Sequence, residues 1–564
     1  MVSDYLCNFV KKFSNGKIAL LFMFAWLAIV GMSLQAYEGS KFVFTFFSVT
    51  FMVMLWVAFY KEFNYGYFFL SVLLFLGFWI KLVHHLMFPA PYLEAVGSFS
   101  HSSAAWDEVL SVAIVSAIGL IFARLIWVAL TGFLISRDTS KYSGVKVPVW
   151  YDSRRKFLWA GVLVLIVFFS MINATLGINQ IGLAPRTILT FPLNALISWM
   201  LNFGLVTIIA TFLWWDVSVN RGPLPALYVV LVEALFSSVS MLSRGVFIFH
   251  VIPQLTAYYR HRKRFISLTR WQALLIVLMV ALFFALGFLT VDTLRGYYYR
   301  SNTDDFRSLS RQNMDRLSAK RQEKGQLEAE LRNRNGAKSK LDANAELDQL
   351  EQEVSALEAQ TLASQRELQD AAQSMSTRVQ LLFTEFWMQL PAVLKRALSL
   401  ATDRWIGLEG VMAVQSYPDK SVALLREGLM ERYADGIVPM YQHISKSIYT
   451  GMDPNQWKFG SLPGAPAFLY YSGSLLVVFL GMTMLTIFLF LFEFAIRWCT
   501  NNPFLASFYG FAAANTVAQF GVVPRQIFPV MVTWACGIAI VGFVQCRLGG
   551  VALARLGKLV NRKS

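Results

Sequence analysis

Runs of apolar residues long enough to cross a bilayer recur along this chain, and they constrain its fold more than any other feature. A crossing needs about 17 to 25 residues. Eight segments meet that length: 18–36, 42–60, 66–86, 108–134, 157–173, 192–215, 271–291 and 467–494. The stretch from Pro223 to Gln254 is too long for one ordinary span and is interrupted by Ser243-Arg244-Gly245, so it divides in two. The C-terminal runs 503–520 and 526–545 divide likewise at Pro524-Arg525. The expected fold is an all-α polytopic membrane protein of about 12 transmembrane helices. With 564 residues, mean hydropathy +0.50, 56% hydrophobic and 15% charged residues, a soluble globular reading is excluded.

The charges orient the spans. A formal charge of +16 could point to nucleic acid, but the excess sits in short runs beside apolar segments, where the preference of Lys and Arg for the cytoplasmic side accounts for it. No nucleic-acid partner is expected. With a cytoplasmic N-terminus, the Lys141 to Lys156 loop, the Arg260-His-Arg-Lys-Arg264 cluster and the Arg547 to Lys563 tail all fall inside, and merging either doubtful pair of spans would put a basic cluster outside. Both termini are then cytoplasmic. The loops 88–106 and 174–190 and the long island 291–464 face the other side, which for a bacterial inner membrane is the periplasm. Lys11, Lys12 and Lys17 precede the first apolar run with no small-residue cleavage site after it, so that run is expected to be retained. The cysteines at 7, 499, 536 and 546 form neither a disulfide framework nor a metal-ligand spacing, and no metal or other cofactor is expected.

Three regions follow: an N-terminal bundle of about nine spans (1–290), a periplasmic region (291–464) and a C-terminal bundle of about three spans (465–564). Within the island, Phe306, Leu309, Leu317, Leu327 and Leu331 mark one helical stripe, and Leu347, Leu350, Val354, Leu357 and Leu368 mark a second. Asn333-Arg-Asn-Gly336 between them suits a helix end, so 304–375 reads as a long antiparallel coiled-coil hairpin. The remainder, 376–464, interleaves large aromatics with glycine and charge as it returns to the membrane.

Four arginines stand on or near the outer face against the charge rule: Arg186, Arg244, Arg404 and Arg525, each near Gly or Pro at a span end or loop. Taken singly, each reads as an interfacial residue snorkelling to water. Together they suit bidentate phosphate binding, and a phosphate at a membrane face is usually a lipid phosphate. Lys81, His84 and His85 close the third span and are further substrate-binding candidates, with Glu94, His101 and Asp107 in the following loop; an interfacial belt is the alternative. His443 is a candidate general base because imidazole titrates near neutrality. Glu409, between Gly407 and Gly410 and flanked by apolar residues, is a second one if burial raises its pKa, and otherwise a surface carboxylate. Glu233 lies inside a span, where it must be paired or face a cavity. There is no G-x-x-x-x-G-K-[ST] loop, H-E-x-x-H or G-x-S-x-G, so ATP-driven transport and common hydrolase chemistry lack support.

Ser243-Arg-Gly245, Arg404-Trp-Ile-Gly-Leu-Glu-Gly-Val-Met-Ala-Val414 in a large outer loop, and Phe459-Gly-Ser-Leu-Pro-Gly-Ala-Pro-Ala-Phe-Leu-Tyr-Tyr-Ser-Gly-Ser474 together resemble the Wzy-type O-antigen and capsule polymerases. The similarity covers the span pattern and about 100 residues of the C-terminal half. It implies a glycosyltransferase, independent of metal and nucleotide, that polymerises undecaprenyl-pyrophosphate-linked oligosaccharide repeat units at the periplasmic face. Membrane lipid and a chain-length regulator or other glycan-assembly proteins would be its partners. Arg404, Glu409 and His443 would be its catalytic candidates, and outer arginines would contact pyrophosphate. The 304–375 hairpin departs from the usual pattern and resembles the long helices of chain-length regulators. An O-antigen ligase-like transferase is the near alternative, although the ligase His-Asn or His-Thr pair is missing because Ile444 follows His443. A polysaccharide or lipid transporter is the non-enzymatic alternative.

Overall fold

The computed structural model describes residues 16–59, 63–88, 92, 94–134, 147–148, 150–219, 221–261, 269–301, 320, 353–355, 405–432, 438–447, 460–521, 524 and 528–543. All regular structure among them is helical, and the chain is a helical polytopic membrane protein. Among the described residues six helices are long and apolar enough to cross a membrane: α3 (Tyr65–Met87), α4 (Ser103–Leu134), α5 (Tyr151–Leu176), α6 (Leu193–Ser218), α9 (Arg270–Ser301) and α14 (Leu475–Thr500). Around them stand α1 (Gly16–Ala36), α2 (Lys41–Val57), α7 (Leu224–Ser240), α8 (Arg244–His261), α15 (Pro503–Ala518) and α16 (Phe528–Phe543). Four short helices, α10 (Leu408–Gln415), α11 (Val422–Met430), α12 (Met440–Ile444) and α13 (Ala465–Leu469), lie in sequence between α9 and α14.

Helix ends fall where the local chemistry puts them. Asn64 caps α3 by accepting from Tyr67 N at 2.8 Å, and Asn502 caps α15 through Phe504 N and Leu505 N. Gly177, at φ 63°, ends α5 in the left-handed conformation that costs glycine nothing. The expected break at Ser243 is present. α7 stops at Ser240, Leu242 turns left-handed at φ 51°, and Ser238 Oγ donates to Ser243 O at 2.7 Å before α8 begins. Two helices depart from α geometry within their span: α3 contains a π-turn at Phe75–Ile80 and α6 one at Met200–Gly204.

α4 and α14 pack along one another, α3 lies on α15, and α2 lies on α4. Their side chains, together with Leu408, Val411, Met412, Tyr441, Phe468 and Tyr471 from the segments after α9, form one large apolar cluster. A second cluster joins α5, α6, α7 and α8. Three carboxylates inside this bundle are paired. Glu233 accepts from Ser237 Oγ at 2.7 Å and lies 3.0 Å from His250 Nδ1; Asp216 takes a fork from Arg155; and Glu493 takes one from Arg497. Each pairing meets the requirement that an ionisable group in an apolar interior has a partner.

Of the expected hairpin only Lys320 and residues 353–355 are described, with Lys320 Nζ 3.1 Å from Glu353 Oε2. The rest of 304–375 lies outside the described residues.

Candidate functional site

The site is assembled where α3 ends and α4 begins. The π-turn at Phe75–Ile80 inserts one extra residue into the helical ladder, and such turns favour functional sites because they re-aim the side chains that follow. It also brings the α3 backbone against the chain before α10. A β-carbon on Gly77 would collide with the Ile406 carbonyl, and one on Gly410 would collide with the Pro463 carbonyl. Two glycines therefore allow two helices, α3 and α10, and two irregular segments, at Ile406 and at Pro463, to approach closely enough for their polar side chains to meet.

At the centre, Lys81 Nζ lies 2.6 Å from both carboxylate oxygens of Glu409. The two side chains are 1% and 3% exposed, so water does not screen them. One turn further along α3 stand His84 and His85, both buried, and the His85 ring stacks on Tyr92 with centroids 4.1 Å apart. Glu94 accepts from Ser461 Oγ at 2.6 Å, and Ser461 Oγ lies 3.1 Å from Ser447 Oγ. Gln442 Nε2 donates to Ser461 O at 3.1 Å, and the backbone of 94–97 is tied on by Gly97 N donating to Ser445 O at 3.0 Å. On the flank, Glu108 of α4 accepts from Tyr470 OH and from Gln415 Nε2, while Lys420 Nζ donates to Gln415 O and lies 5.7 Å from the centroid of the Tyr470 ring.

The electrostatics follow from burial. Desolvation pushes the Glu409 carboxyl above its ordinary range, and the Lys81 ammonium opposes that shift without cancelling it. Tyr441, fully enclosed, is pushed well up by burial, then by Tyr471 and the carboxylates of Glu94 and Glu409. Lys420 is lowered by burial, against the pull of Glu108. Two polar atoms in this region have no hydrogen-bond partner among the described residues although both are buried: Gln442 Oε1 and Tyr471 OH. An unpaired buried acceptor or hydroxyl costs about 1–3 kcal/mol, which a ligand hydroxyl or a water would relieve. The same region thus holds the carboxylates of Glu409, Glu94 and Glu108, the ammoniums of Lys81 and Lys420, two imidazoles and two open hydrogen-bonding positions. That is equipment for binding a polyhydroxylated molecule and for moving a proton.

The structure brings Lys81, His84, His85 and Glu409 together. Other candidates lie apart from them. Arg186 is exposed and donates from Nη2 to Ala174 O at 2.9 Å, closing the loop after α5. Arg244 begins α8, with Nη1 3.5 Å from Asp292 and its guanidinium 4.9 Å from the centroid of Phe288. His443 projects to the surface from the short α12, whose other side chains Tyr441, Gln442 and Ile444 face inward. Asp107 accepts from Tyr37 OH and Ser40 N, and His101 is exposed beside Phe99 and Trp106. Arg404 and Arg525 lie outside the described residues. Sequence reasoning did not single out Tyr441, Gln442, Ser447, Ser461 or Tyr471 as site residues. Neutral polar residues carry no charge anomaly, and only the proximity of Gln442 to His443 offered a signal.

Among the described residues no group of three or more His, Cys, Asp or Glu could hold a metal ion. No protein-family model matches the chain, and no curated protein or solved structure matches it either.

Proposed function

We propose that this protein is a membrane glycosyltransferase that polymerises undecaprenyl-pyrophosphate-linked oligosaccharide repeat units at the periplasmic face of a bacterial inner membrane. The observation that carries this reading is the convergence of the end of α3 with 405–415, 440–447 and 460–474 on one buried polar cluster. The Wzy-like sequence features include much of these segments. Twelve crossings, one each for α1 to α9 and α14 to α16, with both termini cytoplasmic, accompany the proposal. The Lys320 to Glu353 ion pair supports a hairpin turning near Gly336, between the two.

In this reading Glu409, its carboxyl held up by burial, accepts the proton of an acceptor sugar hydroxyl as that oxygen attacks the anomeric carbon of the donor repeat unit. The bond to undecaprenyl pyrophosphate breaks, and its developing negative charge meets cations, with Lys81 and Arg404 as first choices. Gln442 Oε1 and Tyr471 OH hold sugar hydroxyls. The test is reconstitution of purified protein with lipid-linked repeat units and analysis of chain length. Lys81→Met, Glu409→Gln and Arg404→Ala should give single units while the wild type gives polymer. Polymer from all three at wild-type rates would end the proposal. The transporter reading keeps one specific support, the enclosed Glu233 and His250 pair in the bundle, and predicts instead lipid-linked units retained on the cytoplasmic side.

A further inference from the structure

We propose that Glu233 of α7 and His250 of α8 form an intramembrane proton-binding site, loaded at His250 Nε2 through water held by Gln254. The site is distinct from the cluster around Lys81 and does not depend on the glycan reading. Glu233 stands nine residues after Leu224 and seven before Ser240, and His250 six after Arg244 and eleven before His261. At 1.5 Å per residue both lie about 9 to 16 Å from the helix ends, in the apolar depth of the bundle, where ionisable side chains are costly and mark ion or proton sites.

The geometry identifies the ligand. His250 Nδ1 lies 3.0 Å from both carboxylate oxygens of Glu233, and Ser237 Oγ donates to Oε1 at 2.7 Å. A ring nitrogen thus occupies the position from which a metal cation would bridge the two oxygens, and the exchangeable species left to the pair is a proton. With Nδ1–H directed at an ionised Glu233, a neutral ring leaves the pair one net negative charge in apolar surroundings; a proton taken from water onto Nε2 cancels it. The way in runs through the ring, because the Glu233 side chain is 0% exposed and that of His250 is 4%. Gln254 follows His250 by four residues on the same face of α8, a spacing that puts β-carbons about 5–6 Å apart. It is fully buried, yet neither Oε1 nor Nε2 has a hydrogen-bond partner among the described residues. Pro253 beside it has no N–H to give the Phe249 carbonyl. A buried amide with an open donor and an open acceptor, next to a carbonyl that has lost its helical donor, is a place for water rather than for hydrocarbon.

The ionisable groups of the surrounding helices are engaged elsewhere. Arg244 of α8 faces Asp292 of α9, and Arg295 of α9 donates to Leu242 O and Ile181 O. Those of α5 lie within Tyr151–Lys156, where Arg155 and Tyr151 hold Asp216 of α6. On the pair's own helices, Tyr228 contacts Phe283, and Tyr258 to His261 lie eight or more residues beyond His250. From α15 the pair meets Phe508, whose ring centroid is 6.0 Å from that of His250, while Tyr509 OH bonds to Thr207 Oγ1. Among the described residues no further charge is bonded to the pair, so one proton by itself changes the net charge between α7 and α8.

The test uses full-length protein with 15N-labelled histidine in proteoliposomes, its imidazoles followed by solid-state NMR between about pH 5 and pH 9. The signal lost in His250→Gln assigns His250; if that variant does not fold, the cross-peak between the ring and the carboxyl carbon of Glu233 in 13C-labelled wild type assigns it instead. His250 should gain and lose a proton at Nε2 reversibly while Nδ1 stays hydrogen-bonded. In Glu233→Gln the ring should stay neutral throughout, since an imidazolium there would be buried without a counter-charge. Gln254→Leu, which leaves both members of the pair in place, should slow exchange of the Nε2 hydrogen with water roughly tenfold or more. A His250 ring that keeps one charge state across the range would overturn the proposal. So would the same titration in Glu233→Gln, unchanged exchange in Gln254→Leu, or a change in charge state driven by sodium at constant pH.

Discussion

Removing one member of the Lys81 and Glu409 pair should destabilise the protein far more than removing both. At 2.6 Å and an effective dielectric of ~20 the attraction is about 6 kcal/mol, but each ion also loses several kcal/mol of hydration on burial, so the intact pair is worth little against an apolar pair of similar volume. A single substitution exposes the unopposed cost. In Lys81→Met the Glu409 carboxylate can escape only by taking up a proton, and from a reference pKa of ~4.3 to pH 7 that costs at most about 3.7 kcal/mol. In Glu409→Gln a buried ammonium stays behind, at about 3–5 kcal/mol. Part of this cost is already carried by the intact pair, because burial holds Glu409 above its ordinary range despite Lys81. Each single variant should therefore lose about 2–4 kcal/mol. Lys81→Met with Glu409→Leu should return to within about 1 kcal/mol of the wild type. Equilibrium unfolding in mixed micelles, followed by circular dichroism, measures the cycle. Additive losses, with the double variant worse than either single, would show that the two groups do not act as a buried pair and would refute the reasoning.

Four further outcomes can be checked. In Lys81→Met the lowering influence on Glu409 is gone, so its folded pKa rises further above the unfolded value; the stabilising contribution is complete below about pH 4.3 and is lost as pH rises through the folded pKa. The deficit of this variant against wild type should accordingly be smaller at pH 5 than at pH 8 by unfolding titration, and an opposite trend would contradict the assignment. Cysteine labelling of a variant freed of the four native cysteines should reach Gly336→Cys from outside intact cells and Arg262→Cys only after permeabilisation; the reverse pattern would reject the orientation. Replacing 306–374 by a short Gly-Ser bridge should leave polymer of altered length, and complete loss of polymer from protein still present in the membrane would make the hairpin part of the chemistry. Arg404→Ala should lower polymerisation about a hundredfold, equivalent to about 3 kcal/mol of lost charge stabilisation, whereas Arg244→Ala, already committed to Asp292 and Phe288, should lower it much less at matched abundance.

The helices were legible because hydropathy is a property of the sequence alone. The segment boundaries read at 42–60, 66–86 and 192–215 fall within a few residues of α2, α3 and α6, whereas the one read at 467–494 begins within the short α13 and ends six residues before α14 does. The break at Ser243 was legible for the same reason, since Ser-Arg-Gly interrupts an apolar run that would otherwise exceed a crossing. Burial of Glu233 in an apolar segment announced that it needed a partner, but not that His250 was the one, because the two are 17 positions apart across a helix break. Lys81 and Glu409 were each noticed as charges at an apolar boundary. Their pairing across 328 positions depends on the π-turn of α3 and the close approach of Gly77 to Ile406, neither of which leaves a mark in periodicity. The roles of Gln442 and Tyr471 were invisible, since an unsatisfied atom is defined only by its neighbours.

The ion pairs of this bundle divide by what they join. Arg497 and Glu493 lie one turn apart on α14; His250 and Glu233 link adjacent helices; Arg155 and Asp216 link α5 to α6. Each stabilises a contact that apolar packing already makes. Lys81 and Glu409 join α3 to a segment more than 300 residues later whose Leu408, Val411 and Met412 already lie in the large apolar cluster, and Gln415 to Glu108, Gly97 N to Ser445 O and Ser461 to Glu94 add links to α4 and to the loop before it. A net contribution of about 1 kcal/mol for each neutral bond, and about 1.5–3 for each bond to a charged group, is comparable to what a bound ligand can supply. In the proposed reaction, protonation of Glu409 by the acceptor hydroxyl would both complete a base's task and remove the carboxylate charge that faces Lys81.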